Sequence, residues 1–269
     1  FDSFKARLSL NAKRVVTVYD MIDEKFSDNS IRSKTIIKNK KKAVKRADHI
    51  ICISESTKKD LIDIIGINPN IASVVHLGSN LALDRSEILS KTIRMTRDFI
   101  LYVGPRSGYK NFEVLINAFA ISSHIKQNFS LIAFGGGAFN KNELRLIKKS
   151  NISAMQLSGT DELLRSLYSQ AFVFVYPSKY EGFGIPPLEA MQLGCPVICS
   201  KVSSIPEVVG DAGLYFINDN PESLKESIEL MLESTTRDSY IEKGYKRSKL
   251  FTWNKSANKT LQVYRKITS

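Results

Sequence analysis

Two glutamates, Glu181 and Glu189, enclose the segment EGFGIPPLE. An ionised carboxylate only accepts hydrogen bonds and can take two at once. Two of them around one short loop therefore suit a sugar on one side and a ribose on the other. Gly182 and Gly184 let the backbone approach a ligand closely. The proline pair opens a helix, where the first N–H groups lack partners in any case. The N–H groups of Phe183, Gly184 and Ile185 then lie at a helix N terminus, which favours an anion. Glu181 is expected in the loop and Glu189 in the first turns of the helix. A plainer reading stands beside this one, in which Glu189 caps its helix and Glu181 is solvated.

Such a loop needs a strand ahead of it, and AFVFVYPS (171–178) supplies one. Along the chain, short β-rich runs alternate with amphipathic segments, the pattern of parallel sheets with crossover helices. Ligands of such sheets bind beyond the carboxyl ends of the strands. A first part reads as strands at 15–19, 49–54 and 71–78, with a basic helix between the first two. Ser54 caps a further helix that runs to Ile65 and stops at Gly66. LALDRSEILSKTIRMTRD (81–98) is polar and weakly periodic, as a linker would be. The second part has strands at 99–104, 130–137, 155–159, 171–178 and 196–200. Helices are expected over 111–122, near 140–149, near 161–169 and about 187–193, with one turn at IPEVVG. Three more follow at 221–233, about 236–249 and 253–266. The fold class is α/β, with a complete doubly wound, Rossmann-like C-terminal domain. The first part has too few strands for a second such domain, so a piece upstream is expected to be missing.

Composition is that of an ordinary water-soluble domain, with 43% hydrophobic and 25% charged residues among 269. No apolar run approaches the ~20 residues that cross a bilayer. The opening FDSFKARLSLNAKR lacks the apolar region of a signal peptide, and a start at Phe1 reads as an internal fragment or a processed product. Cys52, Cys195 and Cys199 have no CxxC spacing, so neither a disulfide framework nor a zinc site is indicated. A cytoplasmic location is expected. His49, His76 and His124 sit in a strand, a strand end and a helix end, and read as structural. The net charge is +12, and RSKTIIKNKKKAVKR (32–46) holds eight basic residues and no acidic one. That segment is a solvated helix face, a contact with an anionic membrane on its cytoplasmic side, or a nucleic-acid surface. No aromatic ladder or nucleic-acid motif accompanies it, so nucleic acid is not expected as a partner.

Glu-x7-Glu around GFG-[IL]-P-P resembles the signature of glycosyltransferase family 4, enzymes of GT-B fold that retain anomeric configuration. YVGPRSGYKNFEVLINAFA (102–120), LIAFGGG and the continuous run 166–216 resemble that family's C-terminal domain. KRVVTVYDMIDEKF and RADHIICISESTKKDLI resemble the end of its N-terminal domain. The resemblance implies an acceptor-side domain ending near 95, a nucleotide-sugar-binding domain over 96–250, and a helix within 251–269 crossing back. It implies that Glu181 binds the donor sugar, Glu189 the ribose, and Arg106 and Lys110 the pyrophosphate. Cations fixed there stabilise the charge that a departing diphosphate gains. Ser158 and Leu163 would border the base. Gly135, Gly136 and Gly137 either pass near the diphosphate or merely end a strand. The chain has no Asp-x-Asp, the manganese-holding pair of GT-A transferases, so no metal or other cofactor is expected.

The family usually has His-Asp where this chain has Tyr19-Asp20, and the upstream part that carries much of the acceptor site is absent. The implied reaction moves a hexose, first of all mannose from GDP-mannose, onto a glycan or lipid-linked acceptor in cell-surface polysaccharide synthesis. A sugar-nucleotide epimerase of GT-B fold and a binding module without transfer activity are the alternatives.

Overall fold

The computed structural model describes residues 12–79, 81 and 97–268. The chain forms two units. One comprises the residues up to Gly78 with Glu181–Phe183 and the chain from Trp253; the other comprises Ser79–Tyr180 and Gly184–Thr252. The boundary expected near residue 95 and most of the expected linker lie outside the described residues.

In the first unit, β1 (Val15–Val18), β2 (His49–Cys52) and β3 (Ala72–Val74) form a parallel sheet in chain order. Val15 pairs with His49, and Ile50 with Ala72. Helices α1 (Ile22–Lys25) and α2 (Ile31–Lys45) join β1 to β2, and α3 (Glu55–Ile65) joins β2 to β3. The α3 signals act as the sequence suggests. Ser54 Oγ accepts from the Thr57 N–H, and Gly66 ends the helix at φ 74°. β3 is shorter than the run 71–78, because Pro69–Ile71 forms a 3-10 turn and pairing stops at Val74. The C-terminal helix Trp253–Thr268 contributes Val263 to a small core with Ile51, Val75 and Val15. Of the eight basic residues in 32–46, seven on or next to α2 are exposed and one is not. Lys40 is buried, donating to Glu24 Oε2 at 2.7 Å and to the Asp20 carbonyl at 3.0 Å. An unpaired ammonium would not be buried so.

The second unit carries six parallel strands: β4 (Phe99–Val103), β5 (Ser130–Phe134), β6 (Ala154–Leu157), β7 (Val173–Tyr176), β8 (Val197–Ser200) and β9 (Gly213–Phe216). Their order is β6-β5-β4-β7-β8-β9. Crossovers and flanks are supplied by α4 (Phe112–Ile121), α5 (Ser123–Asn128), α6 (Lys141–Lys149), α7 (Asp161–Gln170), α8 (Ile185–Gln192), α9 (Ile205–Val209), α10 (Pro221–Leu230) and α11 (Ser234–Ser248). The central strands FILYV, VFVY and VICS are continuous apolar runs because both faces of the sheet are covered. Ile100, Leu131, Val173 and Ile198 meet Leu115 and Phe119 of α4 and Ile228 of α10 in one core. Each such side chain contributes roughly 1.5–3 kcal/mol. Three elements escape the sequence reading, the edge strand β9 and the short helices α1 and α5. α8 starts earlier than expected because Pro186 and Pro187 fit its first turn.

Candidate functional site

All six strands of the second unit run the same way, so the loops after their carboxyl ends emerge on one edge. The loop after β4 carries Arg106 and Lys110, that after β5 carries Gly135–Gly137, and Ser158 follows β6. Leu163 begins α7, and the chain after β7 leads to Glu189 on α8. Strand order reverses between β4 and β7, the switch point where open α/β sheets bind ligands. Two bonds tie the loops there. The Lys179 N–H donates to the Tyr109 carbonyl at 2.7 Å, and Asn111 Nδ2 donates to the Pro177 carbonyl at 3.1 Å. Lys110, half-buried, ends a 3-10 turn, with Nζ 5.1 Å from the ring centre of Tyr109 and 5.9 Å from that of Tyr176.

Glu189 is half-buried and has no ion-pair partner among the described residues. No side chain caps α8, whose N-cap is Gly184, so Glu189 does not cap its helix. The Tyr168 hydroxyl donates to Glu189 Oε2 at 3.4 Å. Burial pushes the Glu189 carboxyl up to about 7, against the Tyr168 bond and helped by the charge of Asp161. Tyr168 is itself held well above the usual phenol value, chiefly by burial. The sequence reading passed over Tyr168; its place on the buried face of α7 reads as core packing.

Gly182 and Gly184 are glycines for different reasons. Gly184 adopts φ 120°, which side chains rarely do, with room around it. At Gly182 a Cβ would lie 2.1 Å from the Tyr19 carbonyl oxygen and 2.9 Å from Asp20 Cβ. The close approach is therefore to the chain's own backbone, which corrects the expectation that Gly182 makes room for a ligand. The Gly182 carbonyl accepts from Ser54 Oγ at 2.7 Å and Thr57 Oγ1 at 3.2 Å. This packing places Glu181–Phe183 in the first unit. Glu181, in the loop, and Phe183 are both buried, and the Phe183 ring centre lies 6.0 Å from that of His76. His49 is buried on Ser73 Oγ at 2.9 Å, a structural contact.

Arg106, expected on a pyrophosphate, is buried and committed to the protein. Nε donates to Glu143 Oε1 at 3.0 Å and Nη1 to the Gly135 carbonyl at 2.9 Å. Nη2 donates to the Gly137 and Ala138 carbonyls at 2.8 Å. Its guanidinium also lies 5.0 Å from the Phe139 ring centre. Glu143 simultaneously closes the capping box of α6 with Asn140. Gly135, Gly136 and Gly137 all have left-handed φ, and a Cβ on Gly136 would meet the Gly104 carbonyl at 2.7 Å. Gln156 Nε2, also unforeseen, bonds the exposed Ser158 Oγ at 2.8 Å and the Gly135 carbonyl at 3.3 Å. Among the described residues no three His, Cys, Asp or Glu side chains are grouped to hold a metal.

A doubly wound sheet whose switch-point loops carry this carboxylate and glycine arrangement, in a chain that also holds a second parallel α/β unit, defines a protein of GT-B type. The chain belongs to the glycosyl transferases group 1 family, which matches residues 84–247, and its first part matches Glycosyltransferase Family 4 over residues 2–83. It is 34% identical over 187 residues to the O-antigen chain mannosyltransferase B of Escherichia coli, covering 66% of this chain and 48% of that one. It is 31% identical over 265 residues to an uncharacterized glycosyltransferase of Methanocaldococcus jannaschii, covering 96% and 70%. The chain thus spans about half of the first of these relatives. Among solved structures, Anabaena HepE in complex with UDP and glucose superposes with a TM-score of 0.80 at 18% identity, over 94% of this chain and 71% of that one. Sucrose-phosphate synthase from Thermosynechococcus elongatus does so at 0.76 and 22%, over 94% and 67%. At these identities the likeness is one of fold.

Proposed function

We propose that the chain is the donor-binding portion of a retaining hexosyltransferase that takes mannose from GDP-mannose to a glycan or lipid-linked acceptor. The observation that carries the reading is Glu189, a half-buried carboxylate without a cationic partner among the described residues. Among the described residues only the Tyr168 hydroxyl donates to it, at a long 3.4 Å. A half-buried charge needs further donors, and ribose hydroxyls are donors of the right kind. Lys110, at the switch point, meets the diphosphate, and the N–H groups of Phe183, Gly184 and Ile185 add to it. Glu181 takes the sugar hydroxyls, while Ser158 and Leu163 border the base. As the anomeric C–O bond breaks, the nucleoside diphosphate leaves with the electron pair. An acceptor hydroxyl oxygen bonds the anomeric carbon and its proton goes to the departing phosphate oxygen, while fixed positive groups stabilise the leaving charge. The choice of mannose rests on the mannosyltransferase named above. Calorimetric titration with GDP-mannose, GDP and UDP-glucose tests the reading, and failure to bind any of the three overturns it. Donor binding without transfer to any acceptor would instead make the chain a binding module.

A second reading concerns α2. Arg32, Lys34, Lys38, Lys41, Lys42, Lys45 and Arg46 are exposed, and no acidic residue interrupts them. Helical spacing sets the five lysines along one stripe headed by Ile31, which is 87% exposed. An anionic lipid surface fits this stripe, each cation near it contributing about 1 kcal/mol. Among the described residues no helix is long and apolar enough to cross a membrane, so the contact we propose is peripheral, at the cytoplasmic face.

A further inference from the structure

We propose that Lys40 is a positioning residue for the sugar, acting on Glu181 through the Asp20 carbonyl and the backbone of Gly182. All of these residues belong to the first unit. Lys40 lies on α2 and is 3% exposed. Its Nζ donates to Glu24 Oε2 at 2.7 Å and to the Asp20 carbonyl at 3.0 Å. The other Glu24 oxygen, Oε1, is buried without a hydrogen-bond partner among the described residues. A buried pair left partly unsatisfied adds little to stability, and well-packed apolar side chains of similar size serve as well or better. What an apolar pair cannot supply is a donor for the Asp20 carbonyl.

That carbonyl belongs to the turn between β1 and α1. Asp20 Oδ1 accepts the Ile22 N–H at 3.0 Å, so the turn is fixed by the Asp20 side chain and carbonyl together. Gly182 rests against the same turn, where a Cβ would lie 2.1 Å from the Tyr19 carbonyl oxygen and 2.9 Å from Asp20 Cβ. The Gly182 carbonyl is itself held by the hydroxyls of Ser54 and Thr57. Little slack remains, so a displaced Asp20 displaces Gly182 and with it the neighbouring Glu181 carboxylate. That Glu181 meets the donor sugar rests on the proposed function.

The test sets stability against ligand choice in the whole chain, with GDP and GDP-mannose as probes. In Glu24→Gln, Lys40 keeps its carbonyl but loses its counter-charge. The thermal midpoint should fall while both affinities stay parental. When Lys40→Met is combined with Glu24→Leu, no charge of the pair is left buried, so the midpoint should hold or rise. GDP affinity should hold too, but GDP-mannose affinity should fall about tenfold through the lost charge-assisted hydrogen bond. A double variant that binds GDP-mannose as the parent does would overturn the inference. So would a loss of GDP-mannose affinity in Glu24→Gln that tracks its loss of stability. In the parent, GDP-mannose and not GDP should shift the carbonyl carbon resonance of Asp20 together with the Gly182 amide. A shifted Gly182 beside an unmoved Asp20 would overturn the inference, whether or not the variants fold. A Gly182 amide that does not distinguish GDP-mannose from GDP would instead overturn the assignment of Glu181 to the sugar.

Discussion

The Ser54 hydroxyl donates to the Gly182 carbonyl at 2.7 Å across 128 positions of sequence. The same oxygen accepts the Thr57 N–H at the start of α3, so one side chain caps a helix and holds the loop next to Glu181. Ser54→Ala should lower stability by about 1–3 kcal/mol, seen as a lower denaturation midpoint at unchanged slope. It should also weaken a sugar-bearing donor more than the bare nucleotide diphosphate, with Ser54→Thr restoring both. Equal weakening of the two ligands would confine Ser54 to its capping role.

Glu189 titrates near 7 in the fold against a usual 4.5, because burial disfavours its charge. The folded state holds the extra proton between those values, so its contribution to stability is lost as pH rises from about 4.5 to about 7. Glu189→Gln cannot ionise and should remove that slope from thermal midpoints. Ribose hydroxyls favour the ionised form, so GDP affinity should rise as pH passes 7 in the parent. In the variant it should stay flat and about 1–2 kcal/mol weaker. A variant that binds GDP as the parent does would refute the ribose assignment.

Lys110 and the backbone donors are expected to serve the diphosphate without a metal. Lys110→Ala should cost about 2 kcal/mol or more of GDP affinity, and EDTA should leave parental binding intact. Binding abolished by EDTA and restored by manganese would contradict this.

Glu181 is proposed to read the sugar. Glu181→Ala should spare GDP and weaken GDP-mannose by about 1–3 kcal/mol, since the sugar hydroxyls lose a charged acceptor. Parallel titrations of both ligands decide the matter, and equal losses would make Glu181 a support of the loop.

The lysine stripe of α2 should carry the chain onto vesicles containing anionic lipid, with release as salt rises. Replacing Lys38 and Lys42 with Glu should weaken this sedimentation while leaving GDP binding unchanged. Equal sedimentation with neutral vesicles would leave the stripe a solvated face.

The sequence by itself determined what local physics decides. Periodicity and β-branched runs located most strands and helices, Ser54 and Gly66 marked the ends of α3, and EGFGIPPLE announced a loop running into a helix with carboxylates on either side. Tertiary structure decided what depends on which group lies opposite. Gly182 proved to be a glycine because Tyr19 lies against it. Arg106 proved to be committed to Glu143 and three carbonyls. Lys40 proved to be buried on Glu24, and the edge strand β9 exists because β8 offers it a partner. A side chain's type states which bonds it can make, but its partners here lie up to 128 positions away, and only the folded chain brings them within reach.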